Sequence, residues 1–180
     1  TPGTIGTGSV FDVIINEVLS HSDGVLLDKV ELVNTSTSPI DLEGWHLSDD
    51  HDDYFKFTFT TSTILNAGEY LVLDETQLGF ALDGQLGDDI WLMQGVPNDS
   101  DRLLRFADHH DLDATETNVS LGRVPNADPF SQGASLFPVT SQSFGTANSS
   151  FVVGDVIISE VQYDPAPVPP AEVGNIDDDE

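Results

Sequence analysis

Short apolar runs separated by turn-forming residues recur along the chain from residue 11 onward. Residues 12–18 (DVIINEV) are a β-branched apolar run, and residues 29–33 (KVELV) alternate charge with hydrophobe at period two. Such alternation sends successive side chains to opposite faces of a strand. The turn at residues 35–39 (TSTSP) closes the second run, and Ile40, Leu42, Trp45 and Leu47 around Gly44 predict a short, bent strand pair. Phe55, Phe57 and Phe59 alternate with Lys56 and Thr58, which predicts one strand carrying all three rings into the core. Residues 70–73, 90–93, 103–106 and 119–121 extend the series, with turns marked by Asn66-Ala67-Gly68, Asp83-Gly84 and Gly87-Asp88. No stretch has helical 3.6 periodicity, so the pattern predicts an all-β sandwich or barrel with almost no helix.

The flanks read differently. Residues 1–10 are rich in Gly and Thr without periodicity and read as a linker. Beyond Arg123 lie seven of the ten prolines, three of them mixed with Ser, Gln, Gly and Asn up to Phe151, which predicts an irregular covering loop or an interdomain linker. Residues 155–161 (DVIISEV) then repeat residues 12–18 with Ser159 in place of Asn16 as the one change. A long-period repeat of this kind is the same module starting again. The expected organisation is a domain over 11–150, followed at 151–180 by the first strand of a truncated second copy and a Pro-rich acidic tail. The opening Thr1-Pro2-Gly3 reads as part of a processed or excised piece of a longer protein.

Several motifs along this frame resemble one family. Ile15-Asn16-Glu17-Val18, Glu31-Leu32-Val33-Asn34 and the block from Ile40 through Asp41-Leu42-Glu43-Gly44-Trp45-His46-Leu47 to Ser48-Asp49 resemble the lamin tail domain. Leu65-Asn66-Ala67-Gly68-Glu69-Tyr70-Leu71-Val72, Leu121-Gly122-Arg123-Val124-Pro125 and the pair Gly145 and Asn148 continue the resemblance over roughly residues 12–148. It implies an immunoglobulin-like β-sandwich. It also implies a setting in large exported bacterial proteins, at the cell surface or outside the cell, because similar domains occur there singly or in tandem. The chain has no heptad region that would support a filament protein. Glu17 and Glu31 fall inside strand patterns, where a carboxylate needs a backbone N–H or a cation such as Lys29 or Arg123. Trp45 is expected in the core, and Asn16 and Asn34 at turn caps.

Charge narrows the partners. Thirty-two Asp and Glu against five Lys and Arg give a formal net charge of -27, which repels nucleic acid and anionic membrane and makes salt or divalent cations matter. No apolar run approaches the roughly 20 residues that span a bilayer, so membrane insertion is not expected. There is no Cys, and hence no disulfide or thiolate chemistry.

Candidate chemistry is sparse. The sequence has no Gly-x-Ser-x-Gly elbow, His-Glu-x-x-His motif or phosphate-binding Gly-rich loop. Asp49, Asp50, Asp52 and Asp53 around His51 offer clustered oxygen ligands for calcium, against a solvated acidic turn, although the run lacks the alternation and Gly of an EF-hand loop. Asp108, Asp111 and Asp113 with His109 and His110 form a weaker metal candidate, against a solvated loop. Adjacent His on an extended chain point apart, which disfavours a shared ion. The expected function is therefore a non-catalytic accessory module that binds a protein or cell-surface partner or spaces neighbouring domains. A calcium-rigidified adhesive spacer and a metal-dependent hydrolytic domain are the alternatives.

Overall fold

The computed structural model describes residues 12–96, 99–124 and 136–152. Within them the chain forms β1 (Val13–Leu19), β2 (Lys29–Asn34), β3 (Ile40–Asp41), β4 (Trp45–Ser48), β5 (Phe57–Thr58), β6 (Ile64–Leu65), β7 (Tyr70–Asp74), α1 (Glu75–Leu78), β8 (Asp88–Val96), β9 (Asp99–Leu112), β10 (Leu121–Arg123) and β11 (Leu136–Pro138). One sheet has the order β11-β10-β1-β2-β7 and the other β5-β4-β8-β9, while β3 and β6 pair as a small ribbon. All named pairs are antiparallel. The architecture is the expected all-β, immunoglobulin-like sandwich. Helix is reduced among the described residues to α1, a single turn capped by Asp74 with Gln77 reciprocating and ended by Gly79 at φ 79°.

The core lies between the sheets, where inward residues of β1 (Val13, Ile15, Val18), β2 (Val30, Leu32), β4 (Trp45, Leu47) and β8 (Ile90, Leu92) are buried. Trp45 is among them, as expected. The Phe triplet divides. Phe59 is buried and meets Phe57 edge-on at 4.9 Å, but Phe55 lies in a turn ahead of β5 and is 39 % exposed. The turn arises because Ser48 ends β4 and binds the backbone of the loop that follows, so strand alternation cannot extend back to residue 55.

In β2, Val30, Glu31, Leu32, Val33 and Asn34 are all buried, although period-two alternation leaves one face of a strand free. The cover comes from residues 136–152, where β11 pairs with β10 and the following loop crosses the outer face of β1 and β2. Of the two expectations for the segment after Arg123, the covering loop holds for these residues. Gly122 permits their approach, since a Cβ there would lie 2.7 Å from Val139 Cγ1 and 3.0 Å from Asn148 Nδ2. A bridge between Val139 and Phe151 closes the described part. The repeated run at 155–161 and the acidic tail lie outside the described residues, as does the segment 1–11.

Candidate functional site

Three groups of polar and aromatic side chains stand out, and the first is organised by a bulge in β1. The β1–β2 register shifts between Ile15 and Glu17, and β10 pairs with β1 only from Glu17 onward. A bulge leaves backbone groups without ladder partners. At Ile15 they are satisfied by side chains: its N–H donates to Asp108 Oδ2 at 2.8 Å, and its carbonyl accepts from Arg123 Nε at 2.6 Å. Arg123 Nη2 also pairs with Asp108 and donates to His110 Nε2, so that nitrogen carries no proton. The Asp108, His110 and Arg123 side chains are each about nine-tenths buried. Burial pushes the Arg123 pKa down and Asp108 opposes the shift.

The second group locks residues 143–148 onto the same sheet. Glu17 accepts from Ser120 Oγ at 2.5 Å, from Ser143 N at 3.0 Å and from Ser143 Oγ at 2.6 Å. Glu31 accepts from the Gly145 N–H and, at 2.7 Å, from Asn16 Nδ2. Asn16 also donates to Asn148 Oδ1 at 2.8 Å, and Asn148 Nδ2 donates to the Arg123 carbonyl at 3.1 Å. Burial raises the Glu31 carboxyl above its usual range, against the hydrogen bonds from Gly145 and Asn16 that lower it. Both glutamates therefore meet backbone N–H groups, the first of the two expected partners. Of the cations suggested, Lys29 stands 5.2 Å above the Phe144 ring and Arg123 serves Asp108. Asn34 caps its turn through Ser36 N and Ser38 O, as expected, whereas Asn16 bridges two strands and the covering loop.

The third group is on the outer face of the β5-β4-β8-β9 sheet. Ser48 Oγ donates to the Asp53 carbonyl at 2.5 Å and accepts from Asp50 N at 3.0 Å, which folds residues 49–56 back as a flap. The flap places Phe55 edge-on to His46 at 4.9 Å, and Tyr54 against Trp91 at 5.4 Å and Phe106 at 5.1 Å. His109 stacks on Trp91 at 3.4 Å and meets Asp89 Oδ1 through Nε2 at 2.7 Å. His46 is fully buried, with Nδ1 on Thr58 Oγ1 at 2.8 Å and, among the described residues, no hydrogen-bond partner at Nε2, and burial pushes its pKa down. Phe106 remains 48 % exposed and Leu104 58 %.

The acidic residues singled out from the sequence go separate ways. Asp49 pairs with Lys56, Asp50 Oδ1 accepts from Asp52 N at 2.8 Å, Asp53 Oδ1 accepts from Phe55 N at 3.0 Å, and the Asp52 side chain is exposed beside His51. In place of the solvated loop expected around His109 and His110, β9 continues to Leu112 and sends the two rings to opposite faces. Asp108 is turned inward to Arg123, while Asp111 and Asp113 are exposed. Among the described residues no three His, Asp or Glu are arranged to hold a metal ion. Ser120, Ser143 and the Gly145 N–H were not anticipated as partners of the glutamates; the only sequence signal was the Gly145 and Asn148 pair.

The profile of the Lamin Tail Domain family matches residues 7–114. The chain belongs to the lamin tail domain family. No curated protein and no solved structure matches it. Membership makes it an immunoglobulin-like module of the interaction type, in a family that is generally non-enzymatic. The matched span stops short of β10 and residues 136–152, yet in this lamin tail domain those residues complete the first sheet and supply the partners of Glu17 and Glu31. Among the described residues no helix is long and apolar enough to cross a membrane.

Proposed function

We propose that this lamin tail domain is a non-catalytic interaction module of an exported bacterial multidomain protein, binding a protein partner through the outer face of its four-stranded sheet. The observation that carries the reading is a division of labour. Glu17, Glu31, Asp108 and Arg123 are engaged in backbone and side-chain bonds that hold the sandwich together. Phe55, against the His46 ring, and Phe106, against Tyr54 and Trp91, are at the same time half-exposed, and Leu104 is exposed on the same strand as Phe106. Exposed aromatic and aliphatic side chains gathered on one face mark interaction sites. The absence of Cys, the repeated strand motif and the strong acidity support an exported, tandem setting.

The test is site-specific photo-cross-linking in the intact protein on its native cells, with the probe at Leu104, at Phe106 or at Gln77 in α1 beyond the far edge of the other sheet. Adducts with another polypeptide from 104 and 106 but not from 77 are expected. Adducts only from 77, or from none of the three, would overturn the reading.

A further inference from the structure

We infer that the segment bound at this face is an extended, arginine-bearing stretch of protein, an assignment that rests on the interaction reading above. Arg102, Leu104 and Phe106 of β9 are exposed, and Leu103 and Arg105 between them are more buried. Phe106 packs edge-on against Tyr54 and Trp91, at 5.1 and 5.7 Å, so three rings share one patch. Carboxylates adjoin these rings along the chain and across the strands: Asp53 precedes Tyr54 in the flap, Asp89 holds the His109 ring that stacks on Trp91, and the exposed Asp111 stands opposite Asp89 on β9. The cations of the neighbourhood have partners of their own. Lys56 pairs with Asp49, Arg105 Nε donates to Gln94 Oε1 at 2.8 Å, and Arg102 lies 3.7 Å from Asp99.

Aromatic rings beside carboxylates make a particular chemical demand. The negative faces of the rings attract a cation, and the carboxylates accept its hydrogen bonds. Guanidinium meets both, because it is planar, weakly hydrated and able to stack on a ring while donating to a carboxylate; a lysine ammonium holds its water more tightly. A formal charge of -27 steers such a segment inward and repels polyanions. Geometry favours an extended chain. Among the described residues β9 is the end strand of its sheet, so an extended segment can lie along it beside Phe106.

The test uses two fluorescent probe peptides, four Gly-Arg repeats and four Gly-Lys repeats, titrated into the intact chain at 0.15 and 0.5 M NaCl. The arginine probe is expected to bind several-fold more tightly than the lysine probe at both salt concentrations. Phe106→Ser is expected to weaken it about fivefold, and Phe106→Leu to weaken it similarly while keeping the apolar area and the far-UV circular dichroism. Neutralising the remote pair Asp41→Asn with Glu43→Gln is expected to change affinity less than about twofold. Equal binding of the two probes, or a Phe106 variant that binds as the parent does, would reduce the effect to net charge and overturn the inference. Cross-links from 104 and 106 without preference for the arginine probe would sink the partner class alone. Absence of those cross-links would sink the interaction reading beneath it.

Discussion

Glu31 is fully buried between β1 and the loop that covers it, and its carboxylate is held by one backbone N–H and one amide. Glu31→Gln sets an NH2 group against one of those two donors, and a buried donor left without an acceptor costs about 1–3 kcal/mol. An unfolding free energy in urea lowered by that amount is expected. The pH dependence has two opposed parts. Because the folded Glu31 pKa is raised, its contribution is fully present below the unfolded value and is lost as pH rises through the folded one, and Glu31→Gln removes that dependence. His46 acts at the other end. Its folded pKa is lowered, so stability is lost as pH falls below the ordinary histidine range and the unfolded chain takes up the proton first. Urea unfolding across pH is expected to show loss beginning near pH 6.5, and His46→Phe is expected to flatten that limb; an unchanged limb would assign it to other groups. The burial of Glu17, Glu31 and Trp45 was legible because charge or indole stood inside strand patterns. The partners were not, since Ser143 and Asp108 stand 126 and 93 residues away from Glu17 and Ile15 in sequence.

The 49–56 flap shows where reading by period runs out among the elements. Alternating Phe55, Phe57 and Phe59 suggested one strand, but Ser48 stops β4 and its hydroxyl gathers the backbone of residues 50 and 53 into a turn. Ser48→Ala is expected to cost about 1 kcal/mol and to speed amide exchange in residues 50–55 more than in β8. Unchanged exchange there would mean that Tyr54 and Phe55 hold the flap without the hydroxyl. The same element carries Asp49, Asp50, Asp52 and Asp53, of which Asp49 pairs with Lys56 and Asp50 and Asp53 accept from backbone N–H groups of the flap itself. Calcium and chelator at matched ionic strength are therefore expected to give the same unfolding midpoint. A calcium-specific rise of several degrees, abolished by Asp50→Asn with Asp52→Asn, would instead establish a site in the flap. Most strands were legible from their apolar runs and the covering loop from its Pro-, Ser- and Asn-rich composition, whereas β11 and the loop's partners were not, because their role lies in backbone and serine donors that leave no apolar period.

For the molecule as a whole, thirty-two acidic side chains against five Lys and Arg repel each other, and screening relieves that repulsion over about 10 Å at 0.1 M salt. Moving from 0.05 to 0.5 M NaCl is expected to raise the thermal midpoint, with the gain shrinking at higher salt. The central claim is that buried polar residues hold this lamin tail domain together while the outer aromatic face is left for binding. The most direct test compares the unfolding free energies of Asp108→Asn, Glu31→Gln and Phe106→Ser with that of the parent. Asp108→Asn breaks a buried ion pair and is expected to lose about 3–5 kcal/mol, Glu31→Gln about 1–3 kcal/mol, and the half-exposed Phe106→Ser no more than about 1 kcal/mol. A Phe106→Ser loss as large as that of Asp108→Asn, or polar variants as stable as the parent, would contradict the account.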